Sequence, residues 1–356
     1  MRERETSMKR VKMIFLSIFG LLILAAVIYL IADRPHTPPF KDEDRRVLED
    51  SIASLEQVKI GGVEQSILIR GKNMSSPVVL FLHGGPGMPA MYLAHAFQRP
   101  LEEHFVVVHW DQRGAGKSFY EDIPIETMNV EQFISDTVEL TQMLKERFGH
   151  EKIYLVGHSW GSYLGMLVAE RYPELFHAYI GIGQVADEKS RVNQIQDEFI
   201  RQQAQAENNQ EALTDLRNNP EATREKWLFY YGGELHGAQD FTPLLKTGLR
   251  SPEYSLFDAL RIQPGVSFSG VNMKYNAIDG SIMDTITRID IPVYLFTGRH
   301  DYTTPFSLIE TYYEQLEAPT KRLVWFEQSA HFPFFEEPER FTEEMLKVLQ
   351  ETNHSR

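Results

Sequence analysis

Gly157-His158-Ser159-Trp160-Gly161 sets a serine between two glycines, and the residues on either side decide what that pentapeptide is. Lys152 to Val156 (KIYLV) is a short apolar run with β-branched and aromatic members, which predicts a buried strand. Ser162 to Tyr172 (SYLGMLVAERY) predicts a helix stopped by Pro173. A chain that reverses between the two strains the backbone of its middle residue, and the flanking glycines remove side chains that would collide. The Ser159 hydroxyl is then displayed at the tip of the turn, over a helix N-terminus. Strand, sharp turn and helix in that order are the setting of a nucleophilic serine.

Short apolar strands and helices alternate on both sides of this turn. Gly61-Gly62 joins a strand near Val58 to one over Gln65 to Arg70, and strands recur at Val78 to Leu82 and Phe105 to Val108. Asn129 and Gln132 open a helix over Val130 to Phe148 that Gly149 ends. A strand follows near Ala178 to Ile182. Further on come a strand at Ile291 to Phe296, a helix from Pro305 to Leu316, a strand at Leu323 to Phe326 and a helix from Pro338 to Leu349. Such alternation predicts an α/β fold, with a mostly parallel sheet and helices on both faces. The core is expected in two parts, residues 55–184 and 283–356. Between them, residues 185–282 turn polar and helical, with an aromatic patch at Trp227 to Tyr231. This segment reads as a helical cap inserted over the carboxyl edge of the sheet.

The N-terminus follows a different pattern. Residues 13–31 (MIFLSIFGLLILAAVIYLI) are uncharged and apolar over about the length that crosses a bilayer. Arg2, Arg4, Lys9, Arg10 and Lys12 precede them, so the positive-inside rule predicts a cytoplasmic stretch 1–12 and a single-pass anchor in the cell membrane. Everything after Ile31 is then extracytoplasmic. A cleaved signal peptide is the rival reading, but its apolar region is shorter and ends in a small-x-small site that this chain lacks. Residues 32–54, beginning with the proline-rich Arg34 to Pro39, read as a stalk. The net charge of −14 argues against nucleic acid as a partner, and the lack of cysteine excludes disulfides and thiol chemistry.

A serine hydroxyl needs a base to take its proton, and the base needs a third group to orient it. In this kind of fold those groups follow late strands, in the chain order serine, acid, histidine. Asp301 follows the strand ending near Thr297, and His331 follows the strand ending at Phe326. Asp279, Asp284 and Asp290 precede their strand and are poorer candidates. An oxyanion formed on attack needs N–H donors. The residue after the nucleophile, Trp160, supplies one. The glycine-rich His83-Gly84-Gly85-Pro86-Gly87 supplies the other, from Gly85 first and Gly84 second, with His83 pinning the loop.

His83 to Gly87, Asp111-Gln112-Arg113-Gly114-Ala115-Gly116-Lys117-Ser118 and Gly157 to Ser162, in that order, resemble the proline iminopeptidase branch of the α/β-hydrolases. Gly298 to Asp301 and Ala330-His331 resemble its later motifs. The resemblance spans roughly residues 55–185 and 285–345. It implies a serine hydrolase without a cofactor, often an aminopeptidase that releases an N-terminal proline, and it makes Asp111 to Ser118 a structural loop. Family aminopeptidases hold the substrate amine with cap glutamates. Their sequence contexts are not matched here; Glu234, beside Tyr230 and Tyr231, is the candidate substrate contact.

Other patterns fail. Gly114 to Ser118 lacks the first glycine of a phosphate loop, since Asp111 stands there, and the 12 histidines form no metal-binding motif. The expected substrate is a small peptide, cleaved through an acyl-enzyme on Ser159. A carboxylesterase or lactonase would use the same residues, and a silent binding protein that kept the fold is the remaining class.

Overall fold

The computed structural model describes residues 12–21, 23, 24, 35–274 and 281–353. Two compact units separate between His36 and Thr37. In the first, residues 12–21, 23 and 24 are helical and exposed. The remainder of the expected span 13–31, and residues 1–11 before it, lie outside the described residues. Among the described residues no helix is long and apolar enough to cross a membrane.

The second unit is built on one sheet. Its strands are β1 (Ile52–Ile60), β2 (Val63–Gly71), β3 (Val78–Leu82), β4 (Val106–Asp111), β5 (Ile153–His158), β6 (Phe176–Ile182), β7 (Val293–Gly298) and β8 (Lys321–Phe326). They lie in the order β1-β2-β4-β3-β5-β6-β7-β8. Only β1–β2 and β2–β4 pair antiparallel; from β4 onward every pairing is parallel. The β1–β2 hairpin turns at Gly61 and Gly62, both at positive φ (54° and 82°), the conformation a two-residue turn needs on right-twisted strands.

Helices α1 (Val130–Phe148) and α2 (Trp160–Arg171) follow β4 and β5. Between β6 and β7 come α3 (Lys189–Ala206), α4 (Gln210–Asn218), α5 (Pro220–Tyr230), α6 (Thr242–Gly248) and α7 (Leu256–Asn272). Helices α8 (Phe306–Gln315) and α9 (Pro338–Asn353) follow β7 and β8. The two-residue period of a strand sends alternate side chains to opposite faces. Val78, Leu80, Leu82, Ile153 and Leu155 therefore pack with Leu140 of α1, Leu164 and Leu167 of α2 and Ile309 of α8. Val79, Phe81, Tyr154 and Val156 pack on the other side with Phe97 and with Phe341 and Met345 of α9. Each such side chain, fully buried, contributes ~1.5–3 kcal/mol. A separate cluster with Ile200, Leu216, Trp227 and Leu228 joins α3, α4 and α5.

Two expectations are corrected. Residues 37–54 do not stand off as a stalk: Ile52 to Ser54 already belong to β1. Arg70 of β2 donates to Pro38 O at 2.7 Å and to the Thr37 hydroxyl, with its guanidinium 4.6 Å from the Phe40 ring. A buried guanidinium, also paired with Glu102 at 2.7 Å, gathers these partners because it needs every donor satisfied. Helix α2 begins at Trp160 instead of Ser162, because only Ser159 has to leave helical geometry for the chain to reverse.

That reversal depends on Gly161. A Cβ added there would press on the Leu82 carbonyl and stand 2.7 Å from His83 O, both backbone atoms that cannot swing aside. Gly161→Ala should cost about 3 kcal/mol or more, whereas Gly270→Ala, which meets nothing within 4 Å on α7, should not destabilise. Thermal denaturation of the two variants checks this contrast.

Candidate active site

Ser159 sits between β5 and α2 at φ 53° and ψ −123°, a positive-φ conformation that side chains rarely adopt. Its amide donates to Ile182 O at 3.0 Å, and its carbonyl accepts from the Ser162 amide at 2.8 Å, so neighbouring β6 and the first turn of α2 hold the strain in place. Asp301 and His331 arrive from loops after β7 and β8, and the structure joins them. His331 Nδ1 is 2.9 Å from Asp301 Oδ2. Asp301 is fully buried, and its carboxylate also takes the Thr304 amide on Oδ1 and the Thr304 hydroxyl on Oδ2, each at 2.9 Å. One oxygen thus closes a local turn while the other orients the imidazole. The His331 ring lies over Gly183, where a Cβ would come within 2.9 Å of its Cε1 and Nδ1. Gly183 follows Ile182, so the ring and the serine meet at the carboxyl ends of adjacent strands. No hydrogen bond joins Ser159 Oγ to His331 here; catalytic hydrogen bonds commonly tighten only around substrate.

The loop carrying His331 is held by groups with no signature in the sequence. Glu336 Oε2 accepts the amides of Ala330 at 3.0 Å and Phe332 at 3.1 Å, on both sides of the histidine. Its Oε1 accepts the His236 amide at 2.6 Å, tying the segment after α5 to the same carboxylate. The His331 amide itself donates to Glu234 O at 3.0 Å, and its carbonyl accepts from His158 Nε2 at 2.8 Å. Nothing in the run Phe332 to Pro338 marks Glu336 apart from Glu337 beside it, and His158 is merely the variable residue before the serine.

The three motifs converge behind the serine. His83 Nε2 accepts the Gln112 amide at 2.9 Å, and Gln112 Oε1 accepts Trp160 Nε1 at 3.3 Å. His83 Nδ1 donates to Gly84 O at 2.8 Å. Burial keeps His83 neutral, with its pKa lowered to about 4, as the acceptor role of Nε2 requires. Arg113 forms a fully buried pair with Asp136 at 2.9 Å. Lys117 reaches Asp258 in the capping box of α7 at 2.6 Å, and Asp111 accepts from the Tyr254 hydroxyl. The Asp111 to Ser118 loop therefore links the sheet to the inserted helices. Gly84 lies against the serine, since a Cβ there would stand 3.1 Å from Ser159 Cβ. Gly85, at φ 114°, lines the cavity at Ser159 together with Trp160, the first residue of α2. Amides at a helix N-terminus point outward along the axis, toward an anion placed there.

Electrostatics follow from burial. Desolvation opposes a charge on His331, but the Asp301 carboxylate outweighs it by its charge and hydrogen bond, with Glu234 and Glu336 acting in the same sense. The imidazole pKa is raised to about 9. Burial raises Glu336 to about 7 against the pull of its three amide donors. Burial also raises Glu234, opposed by the His331 charge and the Thr303 hydroxyl that donates to its Oε2. An imidazole serves as a base only when neutral, so kcat/KM should rise with pH as His331 gives up its proton. Glu336→Gln removes one charge that holds this proton and should move the rise to lower pH. A pH–rate profile of the variant that coincides with the wild type would remove Glu336 from the electrostatics of the site.

Ser159 lies where two cavities meet. One, of about 640 Å³, is lined by Gly85, Trp160, Tyr163, Ile282 and Leu308 among others. The second, of about 700 Å³, is lined by His331, Glu234, Arg224 and Phe332 among others. Ser159 and Gly85 belong to both. Glu234 thus stands in the site, beside the histidine. Asp284 and Asp290 are exposed, and Asp279 lies outside the described residues.

A sequence profile of the α/β-hydrolase fold matches residues 77–338. The probable aminopeptidase YbaC of Bacillus subtilis (strain 168) is 34% identical over 304 residues, covering 82% of this chain and 94% of that protein. A proline iminopeptidase of Clostridioides difficile (strain 630) is 28% identical over 288 residues, covering 77% of this chain and 88% of its own. Among solved structures, the proline iminopeptidase of Mycobacterium smegmatis shares the fold with a TM-score of 0.64 at 19% identity, covering 85% of this chain and 99% of that one. With an eight-stranded, mostly parallel sheet and a serine on a strained turn after β5, the chain belongs to the α/β-hydrolases, in the branch of YbaC and the proline iminopeptidases.

Proposed function

We propose that the protein is a serine hydrolase acting as an aminopeptidase on small peptides, through an acyl-enzyme on Ser159. The buried Asp301–His331 pair, 2.9 Å apart, whose histidine shares a cavity with a serine in a strained turn, carries this reading. Ser159 Oγ attacks the substrate carbonyl carbon as its proton passes to His331 Nε2, and the oxyanion rests on the amides of Gly85 and Trp160. The C–N bond then breaks, and His331 gives its proton to the departing amine. Water attacks the ester next, losing a proton to His331; the acid product leaves as that proton returns to Ser159. Asp301 keeps the Nδ1 proton in place throughout. No step calls for a cofactor or a metal ion. Glu234 is a substrate contact in the same cavity.

The names of the relatives, a probable aminopeptidase and proline iminopeptidases, favour peptides over esters. Ester or lactone hydrolysis by the same three residues is the second reading, and the apolar cavity beside Ser159 favours it. A fluorophosphonate probe should label the wild type and not Ser159→Ala; an unlabelled wild type would sink the catalytic reading. Prolyl-amide and short-chain ester chromogenic substrates, compared side by side, decide between the two. N-acetylating the prolyl substrate should abolish its cleavage if a free amine is recognised.

The apolar run 13–31 and the basic residues before it support a single-pass tether in the cell membrane, with the catalytic unit outside. Protease treatment of intact cells should then remove the catalytic unit. Its survival in intact but not lysed cells would place it inside.

A further inference from the structure

We infer that the cavity lined by Trp160 and Leu308 is the acyl-binding half of the site, and that it selects acyl groups larger and more apolar than prolyl. The inference rests on acyl transfer at Ser159 as proposed above, and on which of the two cavities the histidine faces.

In the tetrahedral intermediate the attacked carbon carries Oγ, the oxyanion, the leaving group and the acyl substituent. The oxyanion faces the amides of Gly85 and Trp160. The leaving group must lie against His331, which protonates it. His331 lines the larger cavity and not the smaller one. The acyl substituent is therefore directed into the smaller cavity, away from the imidazole.

Both halves carry apolar side chains, but the acyl half has fewer charged ones. Around the acyl half stand Trp160, Tyr163, Val185, Val192, Ile282 and Leu308, of which Trp160, Tyr163, Ile282 and Leu308 are buried. Its charged members are the exposed Glu188 and Lys189, and Asp187, whose carboxylate is 3.0 Å from Arg191 Nη1. The leaving-group half also has apolar members, Leu228, Phe229, Phe332 and Phe334 among them, and shares Val192 and Lys189 with the acyl half, but it adds Glu221, Glu225, Glu234 and Arg224. Glu234 is thereby placed against the leaving group, while Asp187 leaves the acyl half open to an aminoacyl group with a free amine.

Size points the same way as polarity. A cavity of about 150 Å³ is enough for a benzene molecule, and the acyl half offers about 640 Å³. A prolyl ring fills little of that space, whose lining includes the side chains of Ile282 and Leu308. Each added methylene that reaches them is removed from water, which corresponds to about fourfold per methylene in kcat/KM at ~0.8 kcal/mol.

The test holds the leaving group constant and varies only the acyl group. With p-nitrophenyl esters of the full-length protein, kcat/KM should climb at least ~10-fold from acetyl through butyryl to hexanoyl, a fraction of the full hydrophobic gain over four methylenes. With aminoacyl-methylcoumarylamides, phenylalanyl and leucyl should exceed prolyl. Leu308→Phe, which fills the acyl half from α8, and Val192→Phe, on α3 where the two halves meet, should each reduce the hexanoyl-to-acetyl ratio. Two substitutions are used because Leu308 is buried and its variant can fail to fold, whereas Val192 is half-exposed.

A flat or falling series, or a ratio that both filling variants leave untouched, overturns the inference. If prolyl amides are cleaved best while the ester series is flat, the proposed peptidase activity stands and this inference alone falls. If no substrate turns over and no fluorophosphonate label appears, both fall together.

Discussion

Ser159→Ala should lower kcat by roughly 10⁴–10⁶-fold, the scale on which losing the nucleophile of a serine triad acts. The alanine keeps the backbone that the β6 contact and α2 impose, so binding of substrate should change little and the loss should appear in kcat. His331→Ala in the same background should add almost nothing, because a base with no nucleophile to deprotonate has no task. Stability should move independently of activity. Ser159 is held at φ 53°, a conformation that costs a side-chain-bearing residue ~1–3 kcal/mol. Ser159→Gly should therefore be inactive and yet unfold at a higher temperature than Ser159→Ala. Retention of more than about a thousandth of wild-type kcat in Ser159→Ala, with the probe still bound covalently, would mean another residue is the nucleophile.

Asp301→Asn should cost about 10⁴-fold in kcat with KM little altered, by a mechanism the hydrogen bonds make explicit. Oδ2 accepts from both the Thr304 hydroxyl and His331 Nδ1, and Oδ1 accepts from the Thr304 amide. An asparagine carboxamide has one acceptor oxygen for this set of donors. If that oxygen serves Thr304, its NH₂ faces His331, and Nδ1 must become the acceptor. The imidazole proton then sits on Nε2, which can no longer take one from Ser159. Loss of the carboxylate charge also lowers the His331 pKa from its raised value. The variant should therefore show its activity limb at lower pH as well as a smaller plateau. An unchanged plateau would reduce Asp301 to a turn residue serving Thr304 alone.

Legibility in the sequence followed the range over which each feature is decided. The helix over Val130 to Phe148 was readable from its Asn129 cap and Gly149 stop, and the structure has the Asn129 side chain accepting the Gln132 amide. The β1–β2 turn at Gly61-Gly62 was readable for the same reason: the residues that impose it are in it. The positions of Asp301 and His331 after late strands were likewise open to reading from strand order. The attachment of residues 37–54 was not, because it depends on Arg70 emerging from β2 beside Thr37, Pro38 and Phe40. Glu336 was equally hidden. Its importance lies in three amides from two separate segments, and no local pattern announces a carboxylate that gathers them.

The sequence by itself determined the alternation of strands and helices, the sharp turn at Ser159 and the segment inserted between β6 and β7. Each of these depends on residues close together in the chain, through side-chain period, caps and glycine conformation. Only the tertiary structure decided that Lys117 meets Asp258, 141 residues further along. It alone brought the His83, Gln112 and Trp160 motifs into one hydrogen-bonded network and set Ser159 where two cavities meet. The strand order dictates which loops become neighbours, and buried donors and charges then take whatever partners that arrangement brings within reach.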